Sequence, residues 1–417
     1  MPGTMSPKTP LGLFEAYGVE IEYMIVDRDT LEIRPWADKL LAGPDNVAHN
    51  DMTHGEITWC NELARHLIEM NFTDPEKNLY GKAGSFHRNV LHANSILEKS
   101  NGMLLPGAMH PFVNPRSRKV ELWPFGDNEI YRAYDKIFQC DSHGWVNVQS
   151  VHLNLPFNGD GEFRKLHGAI RFILPIIPAL AASSPIAEGQ IGAMADMRLR
   201  YYRLNQEKIP EISGGIIPEI VNSIEEYVSI ILGPMYRAIS PFDPEGILQH
   251  EWLNSRGAIA RFDRSAIEIR VIDPQECPLA DMAVVEVISR LLKWLVCGRP
   301  DRLETCHNFD QNTLIEIFNR CISDGDEALV EDAGYLQIFN LAGQTAAKEI
   351  WMSLFDRLFT ENDKLLYKDF IEEYAANGTL SKRILKVVGP RPGEESILKV
   401  YRELAVALAE NKVFKAG

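Results

Sequence analysis

A chain of 417 residues, 45% hydrophobic and 24% charged, can bury a large core, which excludes global disorder. Its 43 basic residues against 58 acidic leave a formal net charge of -15, a balance that repels nucleic acid and anionic membrane surfaces. Any anionic substrate therefore needs local arginines or a metal to hold it.

Residues 1–16 read as a tail, and "MPGTMSPKTPLGLF" contains no apolar stretch of the signal-peptide kind. The longest low-polarity run, "FILPIIPALAASSPIA" at 172–187, is too short and too rich in proline to span a bilayer. Cysteines at 60, 140, 277, 297, 306 and 321 are scattered without a CxxC, as suits reduced thiols. A soluble, cytoplasmic protein acting on small molecules is expected, with no nucleic-acid or membrane partner and with homo-oligomerisation left open.

"GVEIEYMIVD" at Gly18–Asp27 is rich in Val, Ile and Tyr and reads as a strand closed by the turn "DRDT". Period 2 sends Val19, Ile21, Tyr23 and Ile25 to one face, and Glu20 and Glu22 to the other. Next comes "EITWCNELARHLIEMNFTDP", with a strand near 56–59 and with Glu56, Glu62 and Glu69. The seven-residue step from Glu62 to Glu69 suits one helix face, or a strand only if a bulge corrects the parity. A helix is predicted from Pro75 to about Lys99, with Leu79, Phe86, Val90, Leu91 and Leu97 roughly on one side.

Strands are predicted near 103–109, 120–124 and 146–155, then a helix over 162–174 that Pro175 and Pro178 break. A Gly/Pro-rich stretch from Pro185 to Pro218 encloses "MRLRYYRLNQEKIP", and loops of this length in compact domains are often functional. Strands return at about 258–262 and 266–272. Pro278 then opens the apolar helix "LADMAVVEVISRLLKWLVCG", closed by Gly298. From 310 onward the chain reads as helices with short turns. The fold class is α+β: a sheet first, with helices packed outside it and supplied largely by the C-terminal third, about 279–417. No linker of domain-separating composition interrupts 17–417, which reads as a single domain.

The alternation of the first strand recurs twice. "NVQSVHLNLPF" places Ser150, His152 and Asn154 on one face against Val151, Leu153 and Leu155. "RSAIEIRVID" places Glu268 and Arg270 against Ile267, Ile269 and Val271. A solvated sheet face is the plain explanation for any one of these strands. Together they argue against it, because such a face favours Lys, Thr, Ser and Gln over Glu with a His and an Asn. Oxygen-rich sites with a His and room for water suit Mg²⁺ or Mn²⁺. Arginines cluster at Arg198, Arg200 and Arg203, and at Arg256, Arg261, Arg264 and Arg270. Salt bridging to the many acids explains most of them, Arg270 excepted, since it shares a face with Glu268. The chain has no G-x-x-x-x-G-K-[ST], no G-x-G-x-x-G after a strand, no H-E-x-x-H and no G-x-S-x-G.

"GVEIEYMIVD", "NELARHLIEMNFTDP", "LLPGAMHPF", "VHLNLPF" and "AIEIRVIDPQECP" occur in an order that resembles the glutamate–cysteine ligase superfamily, especially its second bacterial family, the carboxylate–amine ligases. The resemblance spans about Gly18 to Pro278. It implies a glutamine synthetase-like catalytic domain with an antiparallel sheet curved into a funnel. It also implies ATP as phosphoryl donor to the γ-carboxylate of glutamate, an acyl phosphate, and its displacement by an amine, with Mg²⁺ (or Mn²⁺) holding phosphates. Carried over by motif, the metal ligands are Glu20, Glu22, Glu62, Glu69, His152 and Glu268. Asn154 and Arg270 would face phosphates, Arg270 and Glu268 would serve catalysis, and Arg198 would clamp the substrate carboxylate. Cysteine is the acceptor expected for glutathione-type synthesis, although members of the second family need not prefer it. Two other readings stand beside this one: a metal-dependent amidohydrolase that uses the same residues without ATP, and a non-catalytic metabolite-binding module.

Overall fold

The structure, a computed structural model, describes residues 11–116, 120–126 and 128–417. Strand β1 (Gly18–Asp27) forms where the alternation places it, with Val19, Ile21, Tyr23 and Ile25 fully buried on one face. β2 (Asp51–His54), β3 (Ile57–Asn61), β4 (Leu67–Phe72), β5 (Gly102–Leu105) and β6 (Val151–Pro156) follow. A short ribbon joins β7 (Ile186–Ala187) to β8 (Gln190–Ile191), and then come β9 (Ala258–Arg261) and β10 (Ala266–Ile272). The main sheet runs β2-β3-β4-β1-β6-β10-β9, with β5 paired to the second half of β1. All of its pairings are antiparallel.

Helices cover the apolar face. Phe86 and Val90 of the helix Ala83–Leu97, Leu166 and Ile170 of Gly159–Ile173, and Val284 and Ile288 of Pro278–Val296 share one core with the aliphatic rows of β1, β6 and β10. Each fully buried Ile, Leu or Phe there contributes about 1.5–3 kcal/mol. The same core continues through the C-terminal helices to Val413. On the other face β1 changes character along its length. Glu20 and Glu22 give way to Met24 and Val26, which pack with Ile384, Val400 and Leu404 of the helices Leu380–Val388 and Glu394–Glu410. The polar face is thus closed at one end by an apolar plug.

Several boundaries differ from the sequence expectation, for local reasons. The helix expected from Pro75 begins only at Ala83. Glu76 is held instead by reciprocal backbone hydrogen bonds with Tyr17, both 2.8 Å, and Gly81 adopts a left-handed φ of 74° before the helix starts. The strand expected over 103–109 stops at Leu105, because Pro106 has no N–H to continue the ladder. Of 120–124 only Leu122 pairs, as a single bridge to Ala64. The segment before Val151 winds into a helical turn, His143–Val146. Residues 1–10 of the expected tail lie outside the described residues; of the remainder, Phe14 and Ala16 are buried, Phe14 in the main core. Among the described residues no helix is long and apolar enough to cross a membrane.

One buried ion pair ties the chain's end to the sheet. Arg383 reaches Glu276, just past β10, with Nη1–Oε1 at 2.7 Å and Nη2–Oε2 at 3.2 Å, and both side chains are fully buried. Phe414 closes the knot: its carbonyl accepts from Arg383 Nη1 (2.6 Å) and its N–H donates to Glu276 (3.0 Å). Arg383→Ala would strand a buried carboxylate, so it is expected to cost about 3–5 kcal/mol. Replacing both partners, as Arg383→Met with Glu276→Gln, should cost less than the single change. Urea midpoints at unchanged m-value would measure both.

Candidate active site

Antiparallel register decides which side chains meet. Glu20 lies opposite His152 and Asn71, Glu22 opposite Glu69, and Glu268 opposite Asn154. Directly opposed residues share a face, so the three i, i+2 pairs converge on one side of the sheet. Gly18 faces Asn154, where a Cβ would approach to 3.0 Å, and the missing side chain lets Asn154 settle against β1. Period 2 puts Arg270 on the same surface as Glu268, and between Ile269 and Ile272 β10 carries one more residue than β6, a bulge.

His152 links the strands. Its Nδ1 lies 2.8 Å from Glu20 Oε2 and its Nε2 lies 2.9 Å from Ser150 Oγ. The backbone N–H and hydroxyl of Ser150 donate to Glu22 at 2.8 and 3.1 Å. Asn154 donates to Glu20 (3.0 Å), and its buried Oδ1 has no partner. Asn71 donates to Glu69 (2.9 Å). Ligand-type atoms of Glu20, Glu69 and His152 lie within 4.8 Å of one another, and so do those of Glu22, Glu62 and Glu69.

Protonation follows from this crowding. Burial, then the neighbouring Glu22 charge, pushes the Glu62 carboxyl up to about 8. Burial with the charges of Glu20, Glu62 and Glu22 raises Glu69 well above the carboxylate range, and burial also raises Glu22. Glu20 is the exception: burial acts upward, but the hydrogen bond and charge of His152, with Arg264 and Arg270, hold it at about 2. Burial lowers His152, yet its hydrogen bond to Glu20 and the charges of Glu20, Glu268 and Glu22 leave it raised. Glu22, Glu62 and Glu69 lack enough nearby positive charge to ionise readily, a chemistry that fits a hard divalent cation, and the groups Glu20, Glu69, His152 and Glu22, Glu62, Glu69 are the ones that could hold one.

Glu268 stands apart from both groups. Its carboxylate lies between Arg270 Nε (2.9 Å) and Arg261 Nη1 (3.2 Å). Arg264 reaches Glu20 at 3.7 Å. Arg198, on the short helix Met197–Tyr202 capped by Asp196, is 2% exposed. Its Nε contacts Asp273 at 2.5 Å, its Nη1 donates to the Arg270 carbonyl, and its buried Nη2 has no partner.

Two cavities open onto this surface, of 570 and 600 Å³. Glu22, Glu62, His152, Arg261, Arg264 and Arg270 line both, so they form a ridge between the chambers. The larger chamber adds Glu20, Glu69, Asn154 and Glu268, with Tyr17, Val19 and Phe72 as apolar wall. The smaller adds Arg198, Ser150, Gln206 and a set of aromatic rings.

All nine side chains to which the resemblance gives a role therefore border one chamber or the other. Glu62 and Glu69 reach it in an unforeseen way: Glu69 sits in β4 and Glu62 just past the end of β3, so neither a helix nor a bulge is involved. Sequence reasoning missed Arg261 and Arg264 as site residues, having set them among ordinary salt bridges. It also missed Gln206 and the aromatic lining, part of which, Tyr131 and Tyr134, lies on the helix Glu129–Phe138 that the sequence reading did not predict.

The family model of glutamate-cysteine ligase family 2 matches residues 16–316. An uncharacterized protein of Archaeoglobus fulgidus is 31% identical over 397 residues, covering 95% of this chain and 99% of its own length. A putative glutamate–cysteine ligase 2-1 of Legionella pneumophila is 23% identical over 176 residues, 41% of this chain and 42% of that protein. Among solved structures, the glutamate–cysteine ligase of Francisella tularensis in complex with AMP superposes with a TM-score of 0.63 at 13% identity, over 98% of this chain and 91% of that one. The ligase PafA, in its complex with the prokaryotic ubiquitin-like protein Pup, gives 0.51 at 13% identity, over 97% and 77%. These two likenesses establish the fold: an open antiparallel sheet with packed helices.

The raised carboxyls make cation binding proton-linked. Glu62 rises from an ordinary 4.5 to about 8 in the folded chain. Its contribution to stability is thus fully present below about pH 4.5 and is lost as pH rises through about 8. The cation-free protein should lose thermal stability progressively as pH rises from about 4.5 to about 8. Saturating Mg²⁺ should restore it by an increment that grows over the same interval. Calorimetric Mn²⁺ affinity should strengthen with pH and level off above about 8. In Glu62→Gln the cation-free protein should lose less stability across this interval, since Glu69 and Glu22 still titrate, and should bind Mn²⁺ more weakly. A pH-independent affinity in the unaltered protein would contradict the assignment.

Proposed function

This chain belongs to glutamate-cysteine ligase family 2, and on that premise we propose that it is an ATP-dependent carboxylate–amine ligase forming a γ-glutamyl amide. The observation that carries the reading is the ridge shared by two chambers. A phosphoryl group must pass from a nucleotide to a carboxylate, two anions that repel each other, and here the carboxylate cluster, His152 and three arginines stand where the two compartments meet.

In this reading Glu20, Glu22, Glu62, Glu69 and His152 hold divalent cations, Mg²⁺ or Mn²⁺, with Glu268 as a further ligand oriented by Arg261 and Arg270. When bound, the cations neutralise the oxygens that approach one another. The larger chamber is assigned to the nucleotide, with Asn154 Oδ1 and Arg270 facing it, while the free Nη2 of Arg198 takes the α-carboxylate of glutamate. The γ-carboxylate oxygen bonds to the terminal phosphorus of ATP as the P–O bond to ADP breaks. The amine nitrogen then bonds to the acyl carbon while the C–O bond breaks and phosphate departs with the electron pair. The proton shed by nitrogen passes to that phosphate or to solvent. Cysteine, the amine in the family's name, is the reference acceptor, and the product would then belong to glutathione-type thiol synthesis in the cytoplasm.

Hydroxylamine tests the activation step with little demand on an acceptor pocket. Glutamate, ATP and Mg²⁺ with hydroxylamine should give γ-glutamyl hydroxamate together with ADP and phosphate, and none when nucleotide or cation is omitted. Hydrolysis of γ-glutamyl amides without ATP, and no hydroxamate, would instead identify an amidohydrolase. Glu268→Gln should lower the hydroxamate rate about 100-fold or more. A wild-type rate in that variant would remove Glu268 from the reaction.

A further inference from the structure

We propose that the amine joined by this ligase is an arylalkylamine, its ring seated on the wall formed by Tyr134, Trp145 and Trp252 and its nitrogen received by Gln206. The inference rests on the ligase reading and deepens it by naming the acceptor class.

Aromatic residues are distributed unevenly between the chambers. The smaller is lined by Trp123, Phe125, Tyr131, Tyr134, Trp145, Tyr202 and Trp252, whereas the nucleotide chamber has only Tyr17 and Phe72 from its described lining. Three of the rings form a continuous wall: Tyr134 lies 5.1 Å from Trp145 and 6.0 Å from Trp252, tilted by 51° and 54°. The wall is braced from outside. Phe138 stacks on Trp145 at 5.7 Å and His250 on Trp252 at 5.4 Å. Tyr134, Trp145 and Trp252 are each half-buried, so ring surface is left facing the chamber.

An aromatic body can cover such a wall, since a ring buries about 150–250 Å² and gains further from tilted or offset contact with its neighbours. The single mercaptomethyl group of cysteine would leave most of that surface bare.

Gln206 supplies the polar end. It is 2% exposed, and its Nε2 donates to Ser255 Oγ at 2.9 Å. The Ser255 hydroxyl donates in turn to the Leu253 carbonyl at 3.4 Å, which fixes Ser255 as the acceptor in the first bond. Gln206 Oε1 is therefore left as a buried acceptor without a donor, lining the same chamber as the rings. Such an atom is costly unless an N–H reaches it, and an incoming amine provides one.

With glutamate, ATP and Mg²⁺, kcat/KM for 2-phenylethylamine should exceed that for cysteine by about tenfold or more. Trp252→Ala should lower the ratio of kcat/KM for 2-phenylethylamine to that for hydroxylamine about tenfold, and Tyr134→Leu should act in the same direction. Trp252→Phe should retain the ratio within about threefold, which separates loss of the wall from loss of the fold. Calorimetric binding of 2-phenylethylamine to the full chain without ATP should weaken about tenfold in Trp252→Ala. Absence of hydroxamate would overturn the ligase reading and this inference with it. Hydroxamate formation with cysteine or an aliphatic amine preferred, or an unchanged ratio in Trp252→Ala, would overturn the acceptor assignment alone.

Discussion

Glu22, Glu62 and Glu69 bring carboxylate oxygens within 4.8 Å of one another, where repulsion in a partly buried site works against their ionisation. Holding them there requires backbone rigid enough to resist that repulsion. The antiparallel sheet provides it, because β1 is hydrogen-bonded to β4 on one edge and to β6 and β5 on the other. The fully buried aliphatic rows behind β1, β6 and β10 anchor those strands to the helix layer. Hydrophobic burial on one face thus stabilises an arrangement that electrostatics on the other face disfavours.

The two faces are coupled by parity, which explains both what the sequence disclosed and what it concealed. Glu20 with Glu22, His152 with Asn154 and Glu268 with Arg270 are visible because each pair interrupts a period-2 pattern inside one strand. Glu62 and Glu69 are not, because their seven-residue spacing carries them across the β3–β4 connection, where parity within one element has no meaning. The partners of Arg198 were hidden for a related reason. Asp273 closes a strand in "VIDP", and only tertiary structure sets it under a helix 75 residues earlier in the chain. Helix boundaries failed where backbone pairing overrode propensity, as between Tyr17 and Glu76. The aromatic wall joins the Tyr134–Trp145 region to Trp252, and no local pattern reports contacts across such a distance.

The arginines show how the site balances charge when it holds only protein. Glu268, almost fully buried, is flanked by Arg261 and Arg270, while Arg264 and His152 reach Glu20. That is why Glu20 ionises easily while Glu62 and Glu69, which lack such partners, resist. Under the ligase reading the imbalance is useful. Carboxylates drawn toward a cation would give up their guanidinium partners, and those guanidiniums would be free to meet phosphate oxygens at the same ridge. Arg270 lines both chambers, within reach of whatever occupies either, because period 2 gives it the face that Glu268 and His152 also occupy. The bulge breaks that alternation just beyond it: Val271 and Ile272 are consecutive and both fully buried. Asp273 then follows at once to meet Arg198, so the same strand end supplies one charged group to the ridge and one partner beneath it.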